Sequence, residues 1–380
     1  MRSKSWGTIL FTLATVIALA ASWRPVRAEP RFLIIQKEIP SSSTARFESH
    51  MAWRPEGVKQ IHGSSVVALP GHELFMVYYG GSSESTLDVK LYQTRFRNGS
   101  WEEPCLLLTP QDVGEATRRY TRRVGNSSLY RDAQGRLHLF FVTVGYFGWS
   151  CSSLNQMTST DDGKTWSPIK RLLTTPLINI STLVRSPAVP LESGGFLLPV
   201  YYELTNKFPE TLEFDARGEM VRKVRMTGEH GVIQACMVPT SPTEAYAYER
   251  NRLFEEDPHL RYQKTSDGGR TWTAPATLAV KNLDSPVAAV RLAADCFIMA
   301  YNPTFDREII TFAASRNGID WHDIKVLDQI ERTPSQPDIE FSYPTLVIQG
   351  DTIDLIYTWH RRGISHARFN TQWVKEQLRD

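Results

Sequence analysis

The chain contains 380 residues, of which 41% are hydrophobic and 22% are charged. This composition is typical of a globular protein, because disordered chains have fewer apolar residues and a larger net charge. The 43 basic residues nearly balance the 41 acidic ones, and no long Lys/Arg run occurs, so nothing indicates a polybasic nucleic-acid-binding surface. The length allows two or three ordinary domains or one large β-rich domain.

The first 28 residues have the layout of a secretory signal peptide. Arg2 and Lys4 precede an apolar stretch from Trp6 to Ala21, and small residues lead up to a cleavage site near Ala28. The alternative is an uncleaved anchor, although a run of about 16 apolar residues is short for a membrane span. Cleavage removes four basic residues and no acidic ones, which changes the net charge from +2 to −2. We therefore predict a secreted or periplasmic protein with one working domain, residues 29–380, and no membrane span after cleavage.

Short β-strand patterns dominate the rest of the chain, and no long helical pattern occurs. Each strand is bounded by Gly, Pro, Asp or Gln residues that favour turns, as expected for β-hairpins. In chain order the clearest strands are residues 65–69, 74–79, 137–142 and 353–357. The predicted class is all-β.

A repeated motif with the form S-x-D-x-G-x-T-W divides the chain into similar units. Residues 159–166 match it fully, residues 265–272 match it with Thr in the first place, and residues 315–321 and 94–101 are partial copies. This motif, the Asp-box, is a hairpin turn in which Asp binds backbone N–H groups, Gly takes a positive φ and Trp packs beneath. It indicates a fold and says nothing about chemistry.

The spacing of the motif gives a number of units. A degenerate copy of the motif at residues 214–221, with Val221 in place of Trp, lies in the largest gap between the tryptophans. The unit ends then lie about 50 to 65 residues apart, at Trp101, Trp166, Val221, Trp272, Trp321 and Trp373. Units of this length suit four-stranded antiparallel blades, so we predict a six-bladed β-propeller, with seven blades as the alternative.

Four cysteines lie far apart, at positions 105, 151, 236 and 296, so no zinc-binding pair of the C-x-x-C type occurs. Disulfides are compatible with export, but Cys236 and Cys296 lie in apolar, strand-like runs that suit buried free thiols equally well. The sequence does not decide the disulfide state. Neither a metal site nor a cofactor motif is indicated.

The chain resembles the sialidase (neuraminidase) superfamily, in its bacterial BNR/Asp-box branch, over about residues 55–370. The resemblance implies an arginine cluster that binds the carboxylate of an acidic sugar through bidentate hydrogen bonds. It further implies a tyrosine nucleophile activated by a neighbouring Glu, and a separate acid that protonates the leaving oxygen.

The C-terminal third resembles the family most closely. The segment YNPTFDR resembles the one that carries one arginine of the triad, which places Arg307 in that role. The segment FSYPTL resembles the family's nucleophile segment, which places Tyr343 in the role of nucleophile. The structural alternatives are a core tyrosine in a strand and a surface arginine paired with Asp306 or Glu308.

The middle and the N-terminal part depart from the family pattern. Arg250 matches a second triad arginine, with Arg252 as its rival, whereas Gln234 stands where the activating Glu is expected. His62 stands where the first arginine is expected; a protonated histidine could still hold an anion. The general acid corresponds to Glu84, with Asp88 as the alternative.

Further polar residues end apolar strands and are candidates for pocket lining, or for ordinary turn and inter-blade hydrogen bonds. They are Asn126, Arg185, Glu203 and Arg361. Arg185 or Arg361 could replace the missing arginine, and Glu203 could replace the missing base.

The function predicted from these residues is an exported exo-acting glycoside hydrolase of the sialidase type on an acidic glycan, with no cofactor. Two alternatives stay open. One is a glycan-binding propeller without catalytic activity, which Gln234 and His62 favour. The other is a polysaccharide lyase in which His62 and Tyr343 together act as the catalytic base. The oligomeric state is not predicted.

Overall fold

A computed structural model describes residues 29–34, 44–175, 179–331 and 339–378. The predicted signal peptide, residues 1–28, lies outside these ranges. The described chain forms six antiparallel sheets of four or five strands each; five are built from consecutive segments, and the sixth combines the last three strands with the first one. The predicted six-bladed β-propeller is confirmed, and the seven-bladed alternative is wrong.

The blades follow one another along the chain. The first contains β2 (Gln60–Leu69), β3 (Glu73–Gly81), β4 (Lys90–Arg97), β5 (Ser100–Trp101) and β6 (Cys105–Leu108). The second contains β7 (Arg123–Arg131), β8 (Leu137–Val144), β9 (Ser152–Ser159) and β10 (Lys170–Arg171). The third contains β11 (Leu183–Val184), β12 (Val189–Pro190), β13 (Phe196–Tyr202), β14 (Phe208–Phe214) and β15 (Met220–Arg225).

The remaining three blades repeat this arrangement. The fourth contains β16 (Val232–Pro239), β17 (Ala245–Asn251), β18 (His259–Thr265) and β19 (Ala276–Lys281). The fifth contains β20 (Ala288–Ala293), β21 (Cys296–Tyr301), β22 (Ile309–Ser315) and β23 (Trp321–Gln329). The sixth contains β24 (Phe341–Gln349), β25 (Thr352–Trp359) and β26 (Gly363–Asn370), together with β1 (Phe47–Trp53) from the start of the described chain.

The pairing of β1 with β26 closes the ring. Seven residue pairs join the two strands, from Phe47 opposite Phe369 to Trp53 opposite Gly363. The outer strand of the sixth blade therefore comes from the other end of the chain, so this blade has no Asp-box turn. Trp373, which was predicted to mark a blade end, follows directly on β26; it lies in a terminal helix and packs against Phe47 and Phe369.

Asp-box turns join the third and fourth strands of the other blades. In the fourth blade, Asp267 Oδ1 accepts hydrogen bonds from the backbone N–H groups of Arg270 and Thr271, at 3.0 and 2.9 Å. Gly269 follows with φ +86°, and Trp272 donates its indole N–H to the Gly269 carbonyl. These turns lie on the face opposite to the starts of the inner strands β2, β7, β16, β20 and β24.

Two α-helices and two 3₁₀ turns complete the described elements. The helices are α1 (Pro110–Thr117) and α2 (Thr371–Gln377), and the 3₁₀ turns are residues Pro70–His72 and Trp149–Cys151. In the described ranges no helix is long and apolar enough to cross a membrane. All four cysteines are free thiols, and Cys236 is buried between the fourth and fifth blades, where it bonds the backbone of Ala289.

Candidate functional site

A kink at the same point of several inner strands defines the centre of one face. Antiparallel pairing is interrupted by a β-bulge between His62 and Ser65 in β2, and the same interruption occurs in β7, β16 and β24. The bulged residues are Gly63, Asn126, Gln234 and Tyr343. A bulge re-aims a side chain and is common next to active sites.

The backbone at these bulges is strained. Gln234 and Tyr343 both have φ of 55°, in the left-handed region that non-glycine residues seldom occupy. Asp284, Arg307 and Arg361, in loops at the same face, have φ of 62°, 57° and 54°. Such strain costs on the order of 1–3 kcal/mol per residue and concentrates at functional sites, so its clustering indicates a site independently of any motif.

A pocket of about 310 Å³ opens at this point. Its walls come from the first, fourth, fifth and sixth blades. The lining residues are His62, Glu84, Arg250, Asp284, Phe305, Asp306, Arg307, Glu340, Tyr343 and Arg361. Of the ten site residues predicted from the sequence, six lie here: His62, Glu84, Arg250, Arg307, Tyr343 and Arg361.

Three guanidinium groups reach the pocket from three blades. Arg250 belongs to β17, Arg307 to the loop between β21 and β22, and Arg361 to the hairpin between β25 and β26. The backbone carbonyl of Arg361 accepts a hydrogen bond of 2.8 Å from Ile61 N–H. This bond seats Arg361 beside His62, where the resemblance predicted an arginine that the first blade does not supply.

Carboxylates hold these arginines in place. Arg250 Nε donates to Asp284 Oδ1 at 2.6 Å, and Arg252, the predicted rival of Arg250, pairs with the other oxygen of Asp284. Arg307 Nη2 donates to the Asp284 carbonyl at 2.8 Å, and its Nη1 lies 3.6 Å from Glu340 Oε2. Within the described residues, Arg250 Nη2 and Arg307 Nη1 make no hydrogen bond, so both have N–H groups left for a ligand.

Arg361 lies between two glutamates. Its Nη1 is 2.9 Å from Glu84 Oε2, and its Nη2 is 3.0 Å from Glu340 Oε1. Glu84 Oε2 and Glu340 Oε1 bind neighbouring nitrogens of one planar guanidinium group. The two carboxylates are therefore closer together than about 9.5 Å, the largest separation of paired catalytic carboxylates in glycoside hydrolases. Glu84 also accepts a hydrogen bond from the hydroxyl of Tyr79 at 3.3 Å.

Tyr343 lies at the floor of the pocket, surrounded by His62 and two arginines. The His62 ring is perpendicular to the Tyr343 ring, with centroids 4.5 Å apart. The guanidinium carbons of Arg185 and Arg307 lie 4.9 and 5.8 Å from the centroid of the Tyr343 ring.

His62 is buried and uncharged at neutral pH. Burial, followed by the charges of Arg361, Arg307, Arg185 and Arg250, lowers the pKa of His62 well below its usual value of 6.5. Its Nε2 lies 3.7 Å from Glu340 Oε1, and its Nδ1 lies 3.5 Å from Ser342 Oγ. The predicted use of a protonated His62 as an anion-binding cation is therefore disfavoured, whereas the neutral ring remains available as a base.

The four other predicted site residues lie outside the pocket lining. Gln234 accepts a hydrogen bond from Arg250 Nη1 and donates one to the Tyr201 hydroxyl, each 3.1 Å long. Asn126 donates to the same hydroxyl at 3.1 Å.

Arg185 is buried beneath Tyr343 and donates to the Ser64 and Pro344 carbonyls. Glu203 bonds Ser181 through its backbone N–H. Asp88, the alternative to Glu84, accepts from Ser82 and Thr86 within its own loop.

Glu340 is the main site residue that was not predicted from the sequence. It lies directly before β24 and belongs to no recognisable motif. The only sequence signal for its position in the site is that it precedes Tyr343 by three residues. The bulges, by contrast, have a sequence signal: a variable residue, two small residues or proline, and then an aliphatic residue or methionine. The four copies are GSSV at 63–66, NSSL at 126–129, QACM at 234–237 and YPTL at 343–346.

A family model described as "BNR repeat-like domain" matches residues 72–355. The chain belongs to the BNR repeat-like family. No curated protein sequence matches it. Among solved structures, a Hadza microbial sialidase superimposes with a TM-score of 0.67 at 15% identity, covering 82% of this chain and 66% of that chain.

Two further propellers are similar in fold to this member of the BNR family. A variant of NanB sialidase from Streptococcus pneumoniae gives a TM-score of 0.65 at 11% identity, covering 93% of this chain and 72% of that one. An alpha-L-arabinanase from Penicillium chrysogenum, complexed with arabinobiose, gives 0.63 at 12% identity, covering 87% and 99%. At these identities the likeness concerns the fold alone.

Proposed function

We propose that this BNR-family protein is an exported glycoside hydrolase that removes an acidic sugar from the end of a glycan. The observation that carries the proposal is the meeting of three guanidinium groups, a strained tyrosine and a glutamate in one pocket. Fold likeness to sialidases supports the class of reaction, and the predicted leader supports action outside the cytoplasm.

Each group has a chemical role in this proposal. The free N–H groups of Arg250 and Arg307 bind the sugar carboxylate, with Arg361 beside them. The Tyr343 oxygen attacks the anomeric carbon while Glu84 protonates the leaving oxygen. Gln234 cannot take a proton; instead, it holds Arg250 through its carbonyl oxygen.

Neutral His62 is the base that this proposal assigns to Tyr343. The ring lies in contact with Tyr343, and Glu340, 3.7 Å from its Nε2, would stabilise the imidazolium that forms when the ring takes the phenol proton. The carboxylate that normally performs this step is thus replaced by a histidine and glutamate pair. Hydrogen bonds at catalytic groups are often long before substrate binds.

A second candidate is hydrolysis of a neutral sugar by the Glu84 and Glu340 carboxylates. The charge balance of the pocket favours it, because three arginines face four carboxylates: Glu84, Asp284, Asp306 and Glu340. The arabinanase named above has the same fold and was solved with an uncharged disaccharide. In this candidate one glutamate acts as acid and the other as nucleophile or base.

A substrate panel with two variants distinguishes the candidates. The mature protein is assayed on sialosides, on uronic-acid glycosides and on arabinan oligosaccharides, beside Tyr343→Phe and Glu340→Gln. Turnover of an acidic glycoside that Tyr343→Phe abolishes supports the first candidate. Turnover of arabinan that survives in Tyr343→Phe and is lost in Glu340→Gln supports the second. Binding without turnover overturns both, and an unsaturated product indicates a lyase.

A further inference from the structure

A patch of arginine and aromatic side chains lies on the second blade, outside the pocket. We call it the blade-two rim: Arg118, Arg119, Tyr120, Arg122, Tyr146 and Phe147. Tyr120 and Tyr146 are 61% and 67% exposed and Phe147 is 80% exposed, although large aromatic side chains are usually buried. The Tyr120 and Tyr146 rings lie side by side, with centroids 5.0 Å apart.

The positive charge of the rim is not compensated locally. Four arginines, the three of the rim and the adjacent Arg123, occur in six residues, in the sequence RRYTRR at 118–123. Across the described ranges, none of the four forms an ion pair, and the nearest acidic residue in sequence, Glu115, accepts a hydrogen bond from Gln111. Burial and then the charge of Arg119 lower the pKa of Arg171, which lies on the neighbouring strand β10. Since the predicted mature chain has a net charge of −2, the positive charge of the rim is a local feature of the surface.

The rim is on the same face as the pocket and is joined to its wall. It is formed by the segment before β7 and the loop after β8. In the first blade the corresponding places are the start of β2, where His62 lies, and the loop after β3, where Glu84 lies. Trp149, in the loop after Phe147, donates its indole N–H to Ser85 Oγ at 2.8 Å, and Ser85 follows Glu84. Arg123 Nη1 bonds the Phe147 carbonyl at 3.5 Å, which joins the two segments of the rim.

Phe147 itself is held in an unfavourable conformation. Its φ is 60°, which is uncommon for a bulky residue, and it projects into solvent between two glycines, Gly145 and Gly148. An exposed, strained aromatic residue has no stabilising role in packing, so its position indicates contact with a ligand.

We propose that the blade-two rim binds the continuing chain of a carboxylated glycan whose terminal sugar occupies the central pocket. Guanidinium groups recognise carboxylates through paired hydrogen bonds, and exposed aromatic rings pack against the apolar faces of sugar rings. Arginines beside exposed aromatic residues therefore suit a chain that carries one negative charge per sugar. This inference rests on the proposed function for the identity of the terminal sugar, but not for the binding itself.

The test measures binding separately from turnover, in the Tyr343→Phe background. The probe is α2,8-linked polysialate, with dextran as the uncharged polymer, and the method is titration calorimetry at two salt concentrations. The rim variant is Arg119→Ala/Arg122→Ala, and a second one is Tyr120→Ala/Tyr146→Ala. The matched control is Arg217→Ala/Arg316→Ala, which removes two exposed arginines from the opposite face.

We expect polysialate binding that weakens with salt, no dextran binding, and a loss of affinity of about tenfold or more in both rim variants. The control variant should bind as tightly as its parent. Equal affinity in the rim variants and the control would overturn the inference, as would equally tight binding of phosphatidylserine vesicles or single-stranded DNA that is lost in the rim variants. If wild-type protein hydrolyses nothing while these binding differences hold, the proposed function fails and the rim stands.

Discussion

At the scale of single residues, the arginines of the site are fixed by hydrogen bonds and ion pairs to neighbouring side chains. Arg250 is fixed by Asp284 and Gln234, and Arg361 by Glu84 and Glu340. Fixed guanidinium groups need little reorganisation when a ligand or a transition state arrives, and preorganisation of this kind is a large part of enzymatic catalysis. The left-handed backbone of Tyr343, Arg307 and Arg361 is consistent with the same interpretation.

Removal of the Tyr343 hydroxyl tests its role. Tyr343→Phe should lower kcat/KM on the preferred glycoside by on the order of 10³-fold or more, because a covalent step loses its nucleophile. Tyr130→Phe is the matched control, since Tyr130 is a largely buried tyrosine that packs against Phe196, away from the pocket. Equal rates in the two variants would contradict the assigned role.

The low pKa of His62 predicts how folding stability depends on pH. Its pKa in the folded protein is well below the unfolded value of 6.5, so the unfolded chain binds the proton first and folding stability falls as pH drops below about 6.5. Between pH 7 and pH 5 this one residue should remove about 2 kcal/mol from the free energy of unfolding, provided that it stays neutral in the folded state. The variant His62→Gln should lose about that much less than the wild type over this interval in urea denaturation. An identical pH dependence in the two proteins would show that His62 is protonated in the fold.

At the scale of elements, the Asp-box turn joins neighbouring blades as well as strands. In four blades its positive-φ glycine packs against the second strand of the preceding blade, so that an added Cβ at Gly163 would lie 2.6 Å from Phe75 and one at Gly318 would lie 2.8 Å from Tyr246. The glycine is therefore required both by its φ and by its neighbour. This explains why glycine is the residue best preserved among the copies of the motif.

The aspartate of the best-formed turn can be tested directly. Asp267→Ala removes the acceptor of two backbone N–H bonds and two hydroxyl bonds, and it should lower the free energy of unfolding by about 2 kcal/mol. Asp295→Ala, in the exposed turn between β20 and β21, is the control and should change stability by less than about 0.5 kcal/mol. Chemical denaturation of the two variants gives both values. Equal losses would show that the Asp267 bonds contribute nothing beyond solvation.

Much of the fold could be predicted from the sequence because the Asp-box is local. Its Asp, Gly and Trp contact one another within eight residues, so the repeat is visible without knowledge of the tertiary structure. The role of Trp373 could not be predicted, since whether the last blade has its own outer strand depends on β1, more than 300 residues away. The site was partly predictable for the same reason: Tyr343 and Arg307 lie in recognisable segments, whereas Glu340 acquires its place only through arginines from two other loops.

At the scale of the whole molecule, closure of the ring by β1 protects an edge. Without β1, strand β26 would present unpaired N–H and C=O groups to solvent, which promotes self-association. A truncation that begins at residue 54 should therefore melt at least about 5 °C lower than one that begins at residue 44 and should associate at higher concentration. The two proteins differ by β1 and the three residues before it. Equal melting temperatures and monomeric behaviour of both would show that the ring is stable without this strand.

The most direct test of the central claim is covalent trapping of the nucleophile. The mature protein is incubated with 2,3-difluorosialic acid, and its intact mass and peptide map are measured beside those of Tyr343→Phe. We predict one added glycosyl group on the peptide that contains Tyr343, and none in the variant. Turnover of a sialoside without an adduct on Tyr343, or an adduct on Glu84 or Glu340, would contradict it.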